Sequence, residues 1–178
     1  MRLATILPLV LALASCGSEP AAPAAMTAKA ELLDMAGKKV GTATLTETAD
    51  GVKIVLDVQG CTAGTHAFHI HNNGQCHDPA DKKPFDKAGP HFNPFGKKHG
   101  TENPEGPHAG DLPNFEVKAD GTAHFEVIAK LVTLKEGVPN SLFQTGGTCL
   151  MIHEKGDDNK TDPAGNAGTR WACGLITK

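Results

Sequence analysis

The sequence predicts an all-β domain, an eight-stranded antiparallel sandwich or barrel with two long loops. Three observations carry that expectation. Gly (20) and Pro (12) are abundant among the 178 residues and punctuate many short segments. Those segments alternate apolar and polar residues or run β-branched, and none shows a convincing helical period. Aromatic residues are scarce at 4%, charged residues make up 21% and the formal net charge is −3. That profile excludes a coiled coil, a membrane bundle and a disordered tail, and it argues against a nucleic-acid-binding face.

The N-terminus reads as an export signal. Met1 and Arg2 supply a short positive start, and the apolar stretch 3–14 is too short to span a bilayer. It ends in Leu13-Ala14-Ser15-Cys16, which resembles the bacterial lipoprotein signal, where the Cys is lipidated and becomes the new N-terminus. The expected division is a signal peptide at 1–15, the lipidated Cys16 with a flexible tether at 16–27, and one folded domain at 28–178. Gly17 after Cys16 favours the outer membrane, so the expected location is the bacterial cell envelope, in the periplasm, with a lipid anchor as the membrane contact. Such a compartment is oxidising. With Cys16 set aside, Cys61, Cys76, Cys149 and Cys173 permit up to two disulfides, in any of three pairings.

The strands follow in order. Segments 29–34 and 39–46 flank a turn at Gly37, and Asp50-Gly51 is a hairpin signal before 52–58. Residues 60–64 turn into a fourth strand, 66–71. A stretch from 72 to 113, rich in Pro and Gly, has little periodicity. A structureless loop that long needs something to organise it, and metal ligation would do so. Strands resume at 115–118, at 122–128 after Asp120-Gly121, and at 149–154 and 171–176, the last two separated by the irregular segment 155–169.

Histidine spacing carries the chemistry. His69 and His71 lie at i and i+2 on a strand, so both imidazoles point to one face, a start for a Cu or Zn site. His153, on another strand, is a candidate further ligand. His91, His99, His108 and Asp111 fall within the long loop and make a three-nitrogen, one-carboxylate set of the kind that holds structural zinc.

These residues sit in runs that resemble copper–zinc superoxide dismutase: His66-Ala-Phe-His-Ile-His71, Gly89-Pro-His-Phe-Asn-Pro94, Lys98-His-Gly100, His108-Ala-Gly-Asp-Leu112, Ile152-His-Glu-Lys155 and Gly165-Asn-Ala-Gly-Thr-Arg-Trp-Ala-Cys-Gly174. The stretch between Cys76 and His91 and the run Gly110-Asp-Leu-Pro113 resemble the bacterial periplasmic branch. The resemblance implies a flattened Greek-key barrel, copper and zinc as cofactors, and dismutation of superoxide to dioxygen and hydrogen peroxide by copper cycling between Cu(II) and Cu(I). It implies copper on His69, His71, His91 and His153, and zinc on His91, His99, His108 and Asp111, with His91 shared. It further implies that Asp157 accepts from His69 and His99, that Arg170 beside copper orients the anion, and that Cys76 and Cys173 form the disulfide. Lys155 or Lys160 is expected to complete a positive funnel with Arg170.

Some positions stand apart. Ala67 occupies a place where the family usually has Gly, so a local adjustment of the strand is expected. Cys61 and Cys149 are either a second disulfide or two buried thiols. His66 reads as a hydrogen-bonding residue, and His77 and His124 as surface residues. Bacterial members occur as monomers and dimers, which leaves a homodimer open. An envelope protein that only buffers copper or zinc on the same barrel is the second expectation; it would keep the ligands and have no need of Arg170.

Overall fold

A computed structural model describes residues 25–76 and 83–178. Cys16, the signal segment and His77 lie outside the described residues. The described residues form nine strands: β1 (Thr27–Asp34), β2 (Lys39–Thr48), β3 (Gly51–Val58), β4 (Gly64–His66), β5 (Phe68–His71), β6 (Phe115–Val117), β7 (Ala123–Ala129), β8 (Cys149–His153) and β9 (Arg170–Leu175). A single 3-10 turn at Asp86–Ala88 is the one helical piece among the described residues.

Alternation in the sequence becomes alternation in burial. Ala28, Ala30 and Leu32 of β1 point inward, as do Val52, Ile54, Leu56 and Val58 of β3. The β2–β3 register sets Ala43 opposite Leu56 and Leu45 opposite Ile54, so the apolar faces of neighbouring strands coincide. Each fully buried Leu or Ile contributes about 1.5–3 kcal/mol relative to exposure.

Seven strands form one antiparallel sheet in the order β5-β8-β9-β1-β2-β3-β7, and β4 pairs with β6 in a short second ribbon. The connections from β3 to β5 and from β7 to β8 therefore cross between opposite ends of the sheet. These are the long crossovers of a Greek-key barrel.

The expected strand 66–71 is divided. Its first part pairs with β6 and its second with β8. Ala67 is the break: its N–H donates to Lys155 O at 2.9 Å, and its carbonyl accepts from His153 N–H at 3.0 Å. Ala67 is fully buried. The chain passes from one sheet to the other at this residue and spends both backbone groups on the segment around His153, which keeps the adjustment local.

The long loop is held at its start and near its end. Cys76 is bonded to Cys173 of β9, with a Cα–Cα distance of 5.4 Å and a sequence separation of 97. A bridge closing a loop of that size stabilises by up to about 4–5 kcal/mol in the chain-entropy model. Beyond it, Phe92 N–H donates to Ile70 O at 2.8 Å and Ile70 N–H to Gly110 O at 2.9 Å. The loop thus pairs against the edge strand β5. Phe85, Ala88, Phe92 and Leu112 bury its apolar side chains.

Cys61 and Cys149 are both free and buried, so the second bridge is not formed. Cys61 packs in the main core, whereas Cys149 belongs to a separate cluster around the Cys76–Cys173 bond. His124 is exposed on β7 and sits 2.6 Å from Asp57 Oδ1.

Candidate metal centre

Pairing of β5 with β8 sets His69 opposite Met151 and places His153 at the end of the adjacent strand. His69 and His71 project from one face of β5. Isolated bridges set His91 against His71 and Asp111 against His69. Loop residues far apart in sequence are thereby fixed against a rigid strand.

Two donor groups result. His69, His71, His91 and His153 present four nitrogens within 4.8 Å of one another, and all four residues are buried. His91, His99, His108 and Asp111 form the second group under the same limit. His91 belongs to both.

Hydrogen bonds fix which nitrogen is which in the first group. His69 Nε2–H donates to Asp157 Oδ2 at 2.7 Å, and His71 Nδ1–H to Gly89 O at 2.9 Å. His91 Nδ1 lies 2.8 Å from Asp111 Oδ1, and His153 Nδ1 is 3.5 Å from Gly168 O. The nitrogens that remain, His69 Nδ1, His71 Nε2, His91 Nε2 and His153 Nε2, are buried and have no hydrogen-bond partner. Four unpartnered nitrogens converging on one point repel one another unless a cation lies between them. The donor set therefore fits a bound metal ion, and its all-imidazole character suits copper.

Asp111 organises the second group. Its Oδ1 lies 2.8, 3.1 and 3.2 Å from Nδ1 of His91, His99 and His108. Its Oδ2 accepts from the backbone N–H of Gly100 and of His108, each at 2.9 Å. Zinc–ligand bonds of 2.0–2.1 Å in a tetrahedron separate the ligand atoms by about 3.3 Å. The observed spacings are near that value, so this set fits zinc.

Burial and charge set the protonation of these rings. Burial, reinforced by the neighbouring His69, pushes His91 down to about 3. Burial likewise brings His153 to about 2 and holds His71 well below the ordinary range. The rings are neutral at physiological pH, the state a metal requires. His99 differs: burial alone would lower it, but Asp111 and Asp157 on its two nitrogens raise it to about 9. The histidines around Asp111 keep its carboxyl far below the usual range despite its burial.

Asp157 joins the groups from outside. Its Oδ2 accepts from His69 and its Oδ1 contacts His99 Nε2 at 3.0 Å. Asn114 holds Asp157 in place by donating to its carbonyl at 2.9 Å and accepting from its N–H at 2.8 Å. Gly165 leaves the room: at φ +63°, a Cβ built there would lie 1.7 Å from Asp157 Oδ1. Asn114 carries no signal in the sequence, and Gly165 appears there only as the first residue of a family-like run; the role of each depends on a contact across loops. His66 joins neither donor group; its Nδ1–H donates to His153 O at 2.7 Å and supports that strand end.

Arg170 is half-buried. Its guanidinium donates to Phe85 O and Gly89 O, each at 2.6 Å. Its positive charge reaches His71 and His153 and depresses both rings beyond the effect of burial. Lys160 is less available than the sequence suggests, since its ammonium pairs with Glu102 at 2.7 Å. Among the described residues Lys155 makes no ion pair within 4.0 Å.

The comparisons with known proteins agree with this geometry. Residues 39–176 match the family model described as copper/zinc superoxide dismutase. The chain is 51% identical over 152 residues to a copper–zinc superoxide dismutase of Aquifex aeolicus, covering 85% of this chain and 86% of that protein. A solved superoxide-dismutase-like protein from Bacillus subtilis superposes with a TM-score of 0.78 at 38% identity, covering 84% of this chain and 97% of that one. The copper–zinc superoxide dismutase of Brucella abortus superposes with a TM-score of 0.67 at 29% identity, covering 85% and 100%. With its barrel, its two donor groups and these relatives in accord, the chain belongs to the copper/zinc superoxide dismutase family.

Proposed function

We propose that copper is held by His69 Nδ1, His71 Nε2, His91 Nε2 and His153 Nε2, and zinc by Nδ1 of His91, His99 and His108 with Asp111 Oδ1. The reaction is dismutation of superoxide to dioxygen and hydrogen peroxide. One observation carries the assignment: the two nitrogens of a single ring, His91, face two different donor groups. When bound, copper supplies the one-electron change and zinc a fixed positive charge on the shared ring.

The protein's own part is to orient an anion, protect the rings and move a proton. Arg170, clamped by Phe85 O and Gly89 O, holds its charge beside His71 and His153 and draws superoxide there. His91, with Nδ1 fixed on the Asp111 side, has Nε2 as its other basic atom; a solvent proton taken up there would replace that nitrogen's bond to copper and would then be available to peroxide. Asp157 keeps His69 and His99 in the tautomers that leave their ligand nitrogens bare.

A cyanide-sensitive dismutase assay on the copper- and zinc-loaded chain tests this reading; activity no greater than that of free copper would overturn it. Arg170→Ala is expected to lower the rate about tenfold or more at unchanged metal content, with a weaker dependence on ionic strength. An unchanged rate would remove Arg170 from the mechanism and favour a metal-buffering role.

The order Leu13-Ala14-Ser15-Cys16 and the Cys76–Cys173 disulfide support an envelope location, with Cys16 lipidated and the domain tethered in the periplasm at the outer membrane. Growth with a labelled fatty acid should label the chain and not its Cys16→Ala variant; equal labelling of both, or of neither, would contradict the anchor.

A further inference from the structure

We propose that Cys76, Cys149 and Cys173, once the Cys76–Cys173 bond is reduced, form a separate thiolate site for one soft monovalent cation, Cu(I). Three observations carry this. First, the three sulfurs lie within 4.8 Å of one another, although only two of them are bonded. Metal–sulfur bonds of about 2.3 Å in a trigonal plane need sulfurs about 4 Å apart, so after reduction the two formerly bonded sulfurs move apart by about 2 Å. Second, the lining is soft and apolar: Phe85, Ala88 and Met151 complete the cluster. A thioether beside three thiolates suits Cu(I), whereas zinc would lack a good fourth donor. Third, Arg170 lies close enough to Cys149 for their charges to interact, so its guanidinium offsets part of the negative charge that three thiolates around one monovalent cation leave in this buried place.

Access and position follow from the fold. Cys149 and Cys173 are buried, while Cys76 is partly exposed and opens the cluster to solvent. Cys149, Met151 and His153 share one face of β8 at i, i+2 and i+4, so one thiol of the three lies along the same strand as a nitrogen of the four-histidine group. Reduction consumes one equivalent of a dithiol or phosphine, which is oxidised as the sulfur–sulfur bond becomes two thiols. Binding then exchanges thiol protons for the cation, with the protons passing to solvent.

The experiment uses the copper- and zinc-loaded chain under anaerobic conditions, with and without a phosphine. Ag(I) is the coordination probe, because its X-ray absorption edge is separate from that of the resident metals. Cu(I) affinity is read against a chromophoric chelator. The reduced protein is expected to bind one additional Ag(I) or Cu(I) per chain with three sulfur neighbours, and the oxidised protein none. Cys149→Ser should weaken this binding at least tenfold, and Cys61→Ser should leave it unchanged. No additional binding by the reduced chain, two sulfur neighbours instead of three, or equal binding by the oxidised chain would each overturn the proposal. The sulfur count is made on the unsubstituted protein and does not depend on any variant folding.

Discussion

His91→Ala is expected to lower dismutase activity at least a hundredfold and to cost the protein both metals together. The ring stands in both donor groups, its Nε2 among the four converging nitrogens and its Nδ1 at 2.8 Å from Asp111 Oδ1. Removing it leaves three imidazoles for copper, and two imidazoles with one carboxylate for zinc. The barrel should survive, since its core of Leu32, Leu45, Ile54 and Leu56 lies elsewhere. Metal analysis after dialysis against a chelator, alongside circular dichroism, reads the effect. His71→Ala is the control: His71 belongs to one group only, so copper should be weakened while zinc is retained. Loss of a single metal from His91→Ala would contradict the shared role.

Asp157→Asn is expected to weaken both metal sites and to reduce activity by about 10- to 100-fold, the usual cost of removing the carboxylate behind a ligating imidazole. Asp157 accepts from His69 with one oxygen and from His99 with the other. An asparagine offers one acceptor and one donor, so only one of the two rings can keep its tautomer and orientation. Gly165→Ala should give a related loss without changing any charge, because the added Cβ would lie 1.7 Å from Asp157 Oδ1 and displace it. The readouts are metal affinity by competition with a chelator and activity at full metal loading. A change below twofold in both would show that the loop, and not Asp157, positions the rings.

Strand content was legible because its cause is local. Alternation in 29–34, 39–46 and 52–58, with Gly37 and Asp50-Gly51 between, is written directly in the chain, and β1, β2 and β3 follow it within a few residues. The division of 66–71 at Ala67 was not legible. It depends on Lys155 and His153 taking both backbone groups of that residue, a contact between segments some ninety residues apart. The segment 130–148 gave no strand pattern, yet Val132, Leu134 and Leu142 are core residues, positioned in part by Glu47 accepting from Leu134 N–H at 2.6 Å and from Thr133 Oγ1 at 2.7 Å.

The candidate site divides in the same way. Residue type and spacing single out His69, His71, His91, His99, His108 and Asp111, since ligating side chains are chemically distinctive. Residue type and spacing alone do not say which ring spans two groups, and it was the resemblance that named His91; the Asn114 brace on Asp157 and the pairing of Lys160 with Glu102 came from neither, being three-dimensional facts. Cys149 next to the Cys76–Cys173 bond was equally hidden, because four cysteines allow three pairings and spacing does not choose among them.

In the proposed site one imidazolate, that of His91, joins two different ions. Loading the chain with Cu(II) at the four-histidine group and Co(II) at the group around Asp111 tests it directly. An imidazolate between the two ions couples their electron spins, so the Cu(II) paramagnetic resonance signal is expected to be lost when Co(II) is added and to return when Zn(II) replaces it. A Cu(II) signal that stays undiminished with both ions bound would contradict a shared His91.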